Sequence, residues 1–176
     1  MVDKSVIYSK NTIEFITVAK EFLSFCETKK IVSKQSFADT SLKLISLLYL
    51  KALTIPETEL QESENIEKYV TEEAWAFVKN NVENNLGDWD DIIEFKDSAM
   101  MNSTDYIHVS LSELYADIYQ DVGDLIGSYQ MGDELNMYDA LHICHQNFKN
   151  YWGYRVIKII EVLHYKVFFA KQEDED

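Results

Sequence analysis

Between Asp139 and Val156 the chain reads DALHICHQNFKNYWGYRV, setting two histidines, a cysteine, a tryptophan and an arginine in one short run. Such residues can hold a transition metal or move a proton, so their spacing decides what they do. On a helix, His142 and His145 stand about 60° apart and could chelate together. Zinc asks for three or four protein ligands, and Cys144 points about 100° away from His145. His164 lies about five turns further on, roughly 28 Å along a helix. A third ligand would have to be His108 or a carboxylate from another element. The run is therefore read as the packing face of a helix, with His145 among Leu141, Phe148 and Trp152. Ile157, Ile160 and Phe168 face elsewhere, so the second half of that helix is expected to be enclosed on several sides. Arg155 is suited to stacking on an aromatic ring or pairing with an acid of a neighbouring helix.

Carboxylates offer three more sets. Glu161-x-x-His164 has the spacing used in di-iron bundles, but those need two such motifs on different helices and two further glutamates. Asp139-x-x-His142 shares its helix with the first motif and cannot face it. Glu64-x-x-Glu67 and Glu94-x-x-Asp97 have the form of the acidic pairs that hold magnesium in all-helical nucleotide pyrophosphohydrolases. A chain with 31 acidic residues produces such spacings freely, and solvated charge is the simpler reading. Glu113, Asp117, Asp121 and Asp124 share an arc of about 80° on one helix, opposite Leu111, Leu114, Ile118, Val122 and Leu125. That is read as the wet side of an amphipathic helix; the alternative is a cation site or a docking surface for a basic partner. No phosphate-cradling glycine loop, nucleophile elbow, zinc-protease motif or EF-hand is present.

The elements that must position these residues are mostly helices. From Asn11 to Thr28, Phe15, Ile16, Val18, Ala19, Phe22, Leu23, Phe25 and Cys26 gather on one side, which makes Cys26 a small buried hydrophobe. The run from Thr40 to Thr54 is apolar almost all round and belongs in the core or at an oligomer interface. Pro56 ends it and opens an acidic connector over about 55–70, with room for a helical turn. Thr71 caps the next helix, whose first-turn Glu72 and Glu73 suit the helix dipole, and Gly87 stops it. Periodicity fails over 88–109, where DIIEF and YIHVS read as short strands or irregular chain. Ser110, with Glu113 three residues on, opens a helix that ends at Gly132. Asp133 then caps a long last helix reaching Phe169, and the acidic tail at about 171–176 frays. The expectation is an all-α single domain of about five helices in one compact bundle.

Composition narrows the function classes. With 176 residues, 47% hydrophobic, the chain can bury a core without metal or disulfide support. Five glycines and one proline favour long helices over a many-stranded sandwich. A net charge of −15 excludes the basic face that nucleic acid needs and sets the chain against anionic membranes. The first residues show no basic segment followed by an apolar one, and no apolar run is long enough to span a bilayer. A cytoplasmic protein with Cys26 and Cys144 reduced is expected.

ADIYQDV from Ala116, YDALHICHQNFKNYWG from Tyr138 and VIKIIEVLH ending at His164 resemble the bacterial family catalogued as domain of unknown function 5063. NTIEFITVAKEFLSF is similar to that family's first helix. The resemblance rests on Asp117, Tyr119, Gln120 and Asp121 with Tyr151, Trp152 and Gly153. It implies a compact all-helical protein and carries no activity, cofactor or catalytic residue. Glu113, Asp117, Tyr119, Gln120, Asp121, Asp124, Tyr151, Trp152 and Arg155 are the candidates for a surface or interaction role. The favoured function is a non-enzymatic interaction or regulatory domain. Its partner would be a protein, of basic character given the charge, or a second copy of the chain. The alternative is a carboxylate-based, divalent-metal-dependent hydrolase or small-ligand-binding bundle. No cofactor is expected in the favoured reading.

Overall fold

Side-chain caps set where the helices begin. Ser9, Ser33, Thr71, Ser110 and Asp133 each accept a hydrogen bond from a backbone N–H of the first turn that follows. In the computed structural model, which describes residues 4–62, 66–95 and 106–170, these caps open five long helical runs. A short α1 spans Lys4–Ile7, followed by α2 (Lys10–Glu27), α3 (Lys34–Ala52) and α4 (Glu72–Leu86). A 3₁₀ turn at Gly87–Trp89 leads to β1 (Asp91–Phe95), which pairs antiparallel with β2 (Tyr106–Ser110) in the register Asp91 to Ser110. The segments DIIEF and YIHVS are thus strands, forming one small ribbon beside an otherwise helical fold. Next comes α5 (Leu111–Met131), ending at Gly132 in the left-handed conformation with φ +76°. The long C-terminal helix is split by a π turn at Phe148–Trp152 into α6 (Glu134–Asn147) and α7 (Gly153–Phe169).

The core is one contiguous cluster with α5 through its middle, packed on α2, α4, α6 and α7. Phe15, Phe22, Tyr115 and Trp152 are its largest fully buried side chains, joined by Ile45 and Leu48 from α3. Buried Tyr115 and Ser41 share a hydrogen bond between their hydroxyls, so neither oxygen is left unpaired in the core. The apolar helix α3 packs on α2 and α7. It buries Phe37, Ile45 and Leu48 and leaves Leu47 and Leu50 exposed.

Two expectations change. The connector contains no helical turn in its described residues; it runs irregularly from Pro56 to Glu62 and from Ile66 to Val70. Its backbone is held by side chains, since Asp139 accepts from the Gln61 and Glu62 N–H groups. The second half of the last helix is also not enclosed. Ile157 and Phe168 are 47% and 62% exposed, because α3 and α5 cover α7 only on its inner side. No helix among the described residues is long and apolar enough to cross a membrane.

Candidate functional site

The carboxylates of α5 do not form one wet stripe. Glu113, the outermost, is exposed and pairs with Lys79 of α4 at 2.9 Å. One turn on, Asp117 draws three elements together. It accepts from Trp75 Nε1 of α4 at 3.1 Å, from the Tyr151 hydroxyl at 3.1 Å and from Arg155 Nε at 2.9 Å. The Arg155 guanidinium lies 3.5 Å from the centre of the Tyr151 ring, so one arginine serves both the ion pair and the stack. Desolvation raises the Tyr151 pKa, and the Asp117 charge adds to it.

Asp121 accepts from Asn147 Nδ2 at 2.5 Å. Burial raises its pKa, opposed by that hydrogen bond and by Lys68. Asp124 overturns the wet-side reading outright. It is 2% exposed, and its Oδ1 takes the N–H groups of Tyr69 and Val70 at 2.8 and 3.0 Å, while Oδ2 lies 3.1 Å from the Lys68 ammonium. The physical cause is the connector, which crosses α5 at this point. Gly123 and Gly127 let it approach: a Cβ at position 123 would meet Val70 Cγ2 at 2.6 Å, and one at 127 would lie 2.3 Å from Tyr69 Cγ. Each carboxylate from Asp117 to Asp124 is spent on internal partners.

The other candidates are scattered. Tyr119 is almost buried and donates its hydroxyl to Glu27 at 2.6 Å, with burial pushing its pKa up. Gln120 is exposed. Trp152 offers no surface at all, being 0% exposed. His142 Nδ1 lies 2.9 Å from the Thr58 carbonyl, and His108 Nδ1 lies 2.9 Å from Asp91 in the ribbon. Glu161 pairs with Lys158 and not with His164. Glu64 and Asp97 lie outside the described residues, so the two paired-acid motifs are only half visible. Among the described residues no three His, Cys, Asp or Glu side chains come together as a metal site. Both cysteines are free and buried, and desolvation pushes both thiols well up, with Asp121 and Asp124 adding at Cys144.

What sequence reading missed is the outward side of α7. Tyr154, Ile157, Lys158, Glu161, Tyr165 and Phe168 fall within an arc of about 100° on the side away from Trp152, Val156, Ile159 and Leu163. Tyr154 is 68%, Tyr165 61% and Phe168 62% exposed, where an amphipathic helix would ordinarily be polar. Beside it runs a shallow groove of about 400 Å³ floored by Val109 and Leu114 and walled by Tyr154, Arg155 and Ile157. The Asp117 junction holds Arg155 and Tyr151 at its margin.

A family model described as Domain of unknown function (DUF5063) matches residues 6–168. The chain belongs to that family. It is also similar to the crystal structure of protein BF1032 from Bacteroides fragilis, a Northeast Structural Genomics Consortium target, at 37% identity and a TM-score of 0.82. That match covers 96% of this chain and 99% of the other. No curated protein matches the sequence. In this DUF5063 chain five of the residues that carried the resemblance, Asp117, Asp121, Tyr151, Trp152 and Gly153, lie where α5 meets the π turn and α7, whereas Tyr119 turns to Glu27 of α2 and Gln120 is exposed. Those five belong to that junction, and no activity follows from them.

Two outcomes follow from this geometry. Arg155→Lys should cost about 1–2 kcal/mol despite the retained charge, because lysine loses both the planar stack on Tyr151 and the directed bond to Asp117. Urea denaturation of the variant beside Tyr151→Phe checks this, and a cost near zero would show the junction to be ornamental. His145 concerns pH. It is 4% exposed, stacks on Phe148, and its Nδ1 has no hydrogen-bond partner among the described residues. Burial holds its pKa below the ordinary 6.5, with Lys149 and His142 pushing the same way and Glu57 opposing. The unfolded chain then binds this proton more readily than the folded one. Its share of stability is complete above 6.5 and is lost as pH falls below that value. Denaturation across this range should give a slope for the native chain that His145→Phe reduces; equal slopes would contradict it.

Proposed function

We propose that this protein is a non-enzymatic, cytoplasmic interaction domain that docks a polypeptide on the outward face of α7. The exposed aromatic arc of Tyr154, Tyr165 and Phe168 carries the reading. Apolar surface of this extent rarely stays open to water unless it serves binding. A convex helix face buries little of a small molecule, whereas a protein partner can cover it along its length. The α5 carboxylates support the same reading from the other side, since Asp117 and Asp124 already hold arginine, indole and backbone donors. Two buried free cysteines suit a reducing compartment.

The test is a photo-crosslinking amino acid placed at position 154 or 165 in cells, with exposed Gln130 on α5 as control. Adducts to a polypeptide are expected from the α7 positions and not from 130. Equal labelling at all three, or none, would overturn the reading. The carboxylate-metal alternative has its own check in thermal unfolding with divalent cations. A ligand at 100 times its Kd adds about 2.7 kcal/mol, which is roughly 5–10 °C for a chain of this size. A metal-selective rise of that size, lost in Asp117→Asn with Asp121→Asn, would replace the interaction domain with the metal site.

A further inference from the structure

We infer that the groove between α2 and α3 binds a small linear carboxylic acid, its carboxylate at Lys30 and its apolar chain running along the helices toward Leu47. The site goes beyond the α7 reading and shares no residue with it. At its centre is a recess of about 190 Å³ beside the turn that joins the two helices. The floor is apolar, built from Val32 and the stacked rings of Phe25 and Phe37, whose centres lie 4.8 Å apart. The rim carries Thr28, Lys30, Ser36 and Thr40. An apolar floor with a few polar groups at its edge is the usual form of a small-molecule site. The recess is smaller than the roughly 300–1,000 Å³ that drug-sized ligands occupy, so it admits only a narrow ligand.

Three polar groups of the rim are not spent on the fold. Thr17 and Thr28 donate their hydroxyls to carbonyls one turn back at 2.8 Å, whereas Ser36 and Thr40 make no hydroxyl bond among the described residues. These two stand one turn apart on α3 and line the same recess. The lysines divide in the same way. Lys29 lies over the Phe77 ring, Lys34 pairs with Asp88 and Lys43 with Asp39, while Lys30 has no such partner among the described residues. Charge then selects the ligand. The chain carries −15, yet among the described residues no carboxylate lines this recess. The pocket beside α6 is the opposite case, lined by Glu62, Glu67, Asp133 and Asp139. One ammonium with two hydroxyl donors matches a single negative charge. A phosphate monoester would bring nearly two and leave one unmatched.

The groove also sets the ligand's direction and shape. Phe25, Thr28 and Thr40 line both the recess and a shallower trough of about 550 Å³ that continues it between the helices. Ser36, Thr40, Leu44 and Leu47 follow one another along one side of α3, and Thr28, Phe25 and Glu21 answer them in reverse order from the α2 side. From Ser36 to Leu47 the groove runs roughly 16–17 Å at 1.5 Å per residue. The uncommitted donors gather at the recess end, and the leucines lie at the other, where Leu47 is 41% exposed. Glu21 at the leucine end repels a carboxylate, and the Lys43 charge there is already met by Asp39. An anionic head therefore belongs at Lys30 and an unbranched apolar chain along the trough.

Titration of the ¹⁵N-labelled full chain with sodium octanoate, followed by amide NMR shifts, tests this. Saturable shifts are expected at Phe25, Thr28, Val32, Ser36, Thr40 and Leu47. The Kd should be on the order of 0.1–1 mM, in keeping with a ligand of about ten heavy atoms. Octanamide has the same shape without the charge and should bind roughly three- to fivefold more weakly, the worth of an exposed ion pair. Lys30→Gln, at an exposed position, should weaken octanoate by that factor and leave octanamide unchanged. Leu47→Asn should weaken both ligands alike, roughly threefold, because it acts on the chain and not on the head. A general loss of structure would not split the two ligands in this way. No saturable shift in the millimolar range, or the largest shifts on α7, overturns the inference. So does equal affinity for octanoate and octanamide, or octanoate binding that Lys30→Gln leaves unchanged.

Discussion

Replacing Asp124 with alanine is expected to lower the unfolding free energy by about 2–4 kcal/mol, far more than a helix-surface aspartate would cost. The carboxylate is 2% exposed and takes the N–H groups of both Tyr69 and Val70. Alanine would strand two backbone donors beneath the connector, and each unsatisfied donor costs about 1–3 kcal/mol. The Lys68 ammonium, 59% exposed, can turn to water, so its share is small. The melting temperature should fall by roughly 4–16 °C. Asp124→Asn keeps one oxygen for the two donors and should cost less. Gly127→Ala tests the same crossing from the opposite side, since its methyl would clash with Tyr69 Cγ and Cδ2, at about 1–3 kcal/mol. Hydrogen exchange at the Tyr69 and Val70 amides is the direct reading. If Asp124→Ala leaves those amides protected and the stability unchanged, the connector is held by something else.

That residue also shows where sequence reading stops. Helix starts at Thr71 and Ser110 and the stop at Gly132 were legible because each is a local event, fixed by a side chain or a backbone angle within one turn. The strand pair was only half legible, since five-residue segments carry too little period to choose between ribbon and irregular chain. Asp124 sits on the polar arc of α5 by angle, and nothing local says that a distant connector will cover it. One signal was available. Gly123 and Gly127 flank it within a helix, where glycine costs about 1 kcal/mol against alanine. Two such residues around a polar one on the same helix mark a close approach of other chain. At α7 the error ran in the opposite direction. Apolar residues around the whole helix were taken as enclosure, when Tyr154, Ile157 and Phe168 are open. Periodicity reports which sides want burial and not whether the same chain supplies the cover.

Trp152→Ala is expected to cost about 3–5 kcal/mol, the usual toll for emptying a large aromatic site. Its side chain is fully buried, lies 6.4 Å from the Phe15 ring and 4.7 Å from the Phe148 ring, and donates Nε1 to the Cys144 carbonyl at 3.1 Å. That bond reaches back from the end of the π turn to the last turn of α6, strapping the place where the long helix changes pitch. Trp152→Phe separates the two contributions. It keeps most of the ring and loses one hydrogen bond, and the Cys144 carbonyl still accepts the Phe148 N–H, so the cost should be about 0.5–1.5 kcal/mol. Equilibrium denaturation of both variants measures the difference. A loss from alanine no larger than that from phenylalanine would mean that the strap, and not the packed ring, holds the π turn. In that event the outward face of α7 would owe its position to one hydrogen bond between neighbouring turns. If the ring dominates, that position is set by the core, through Phe15 of α2.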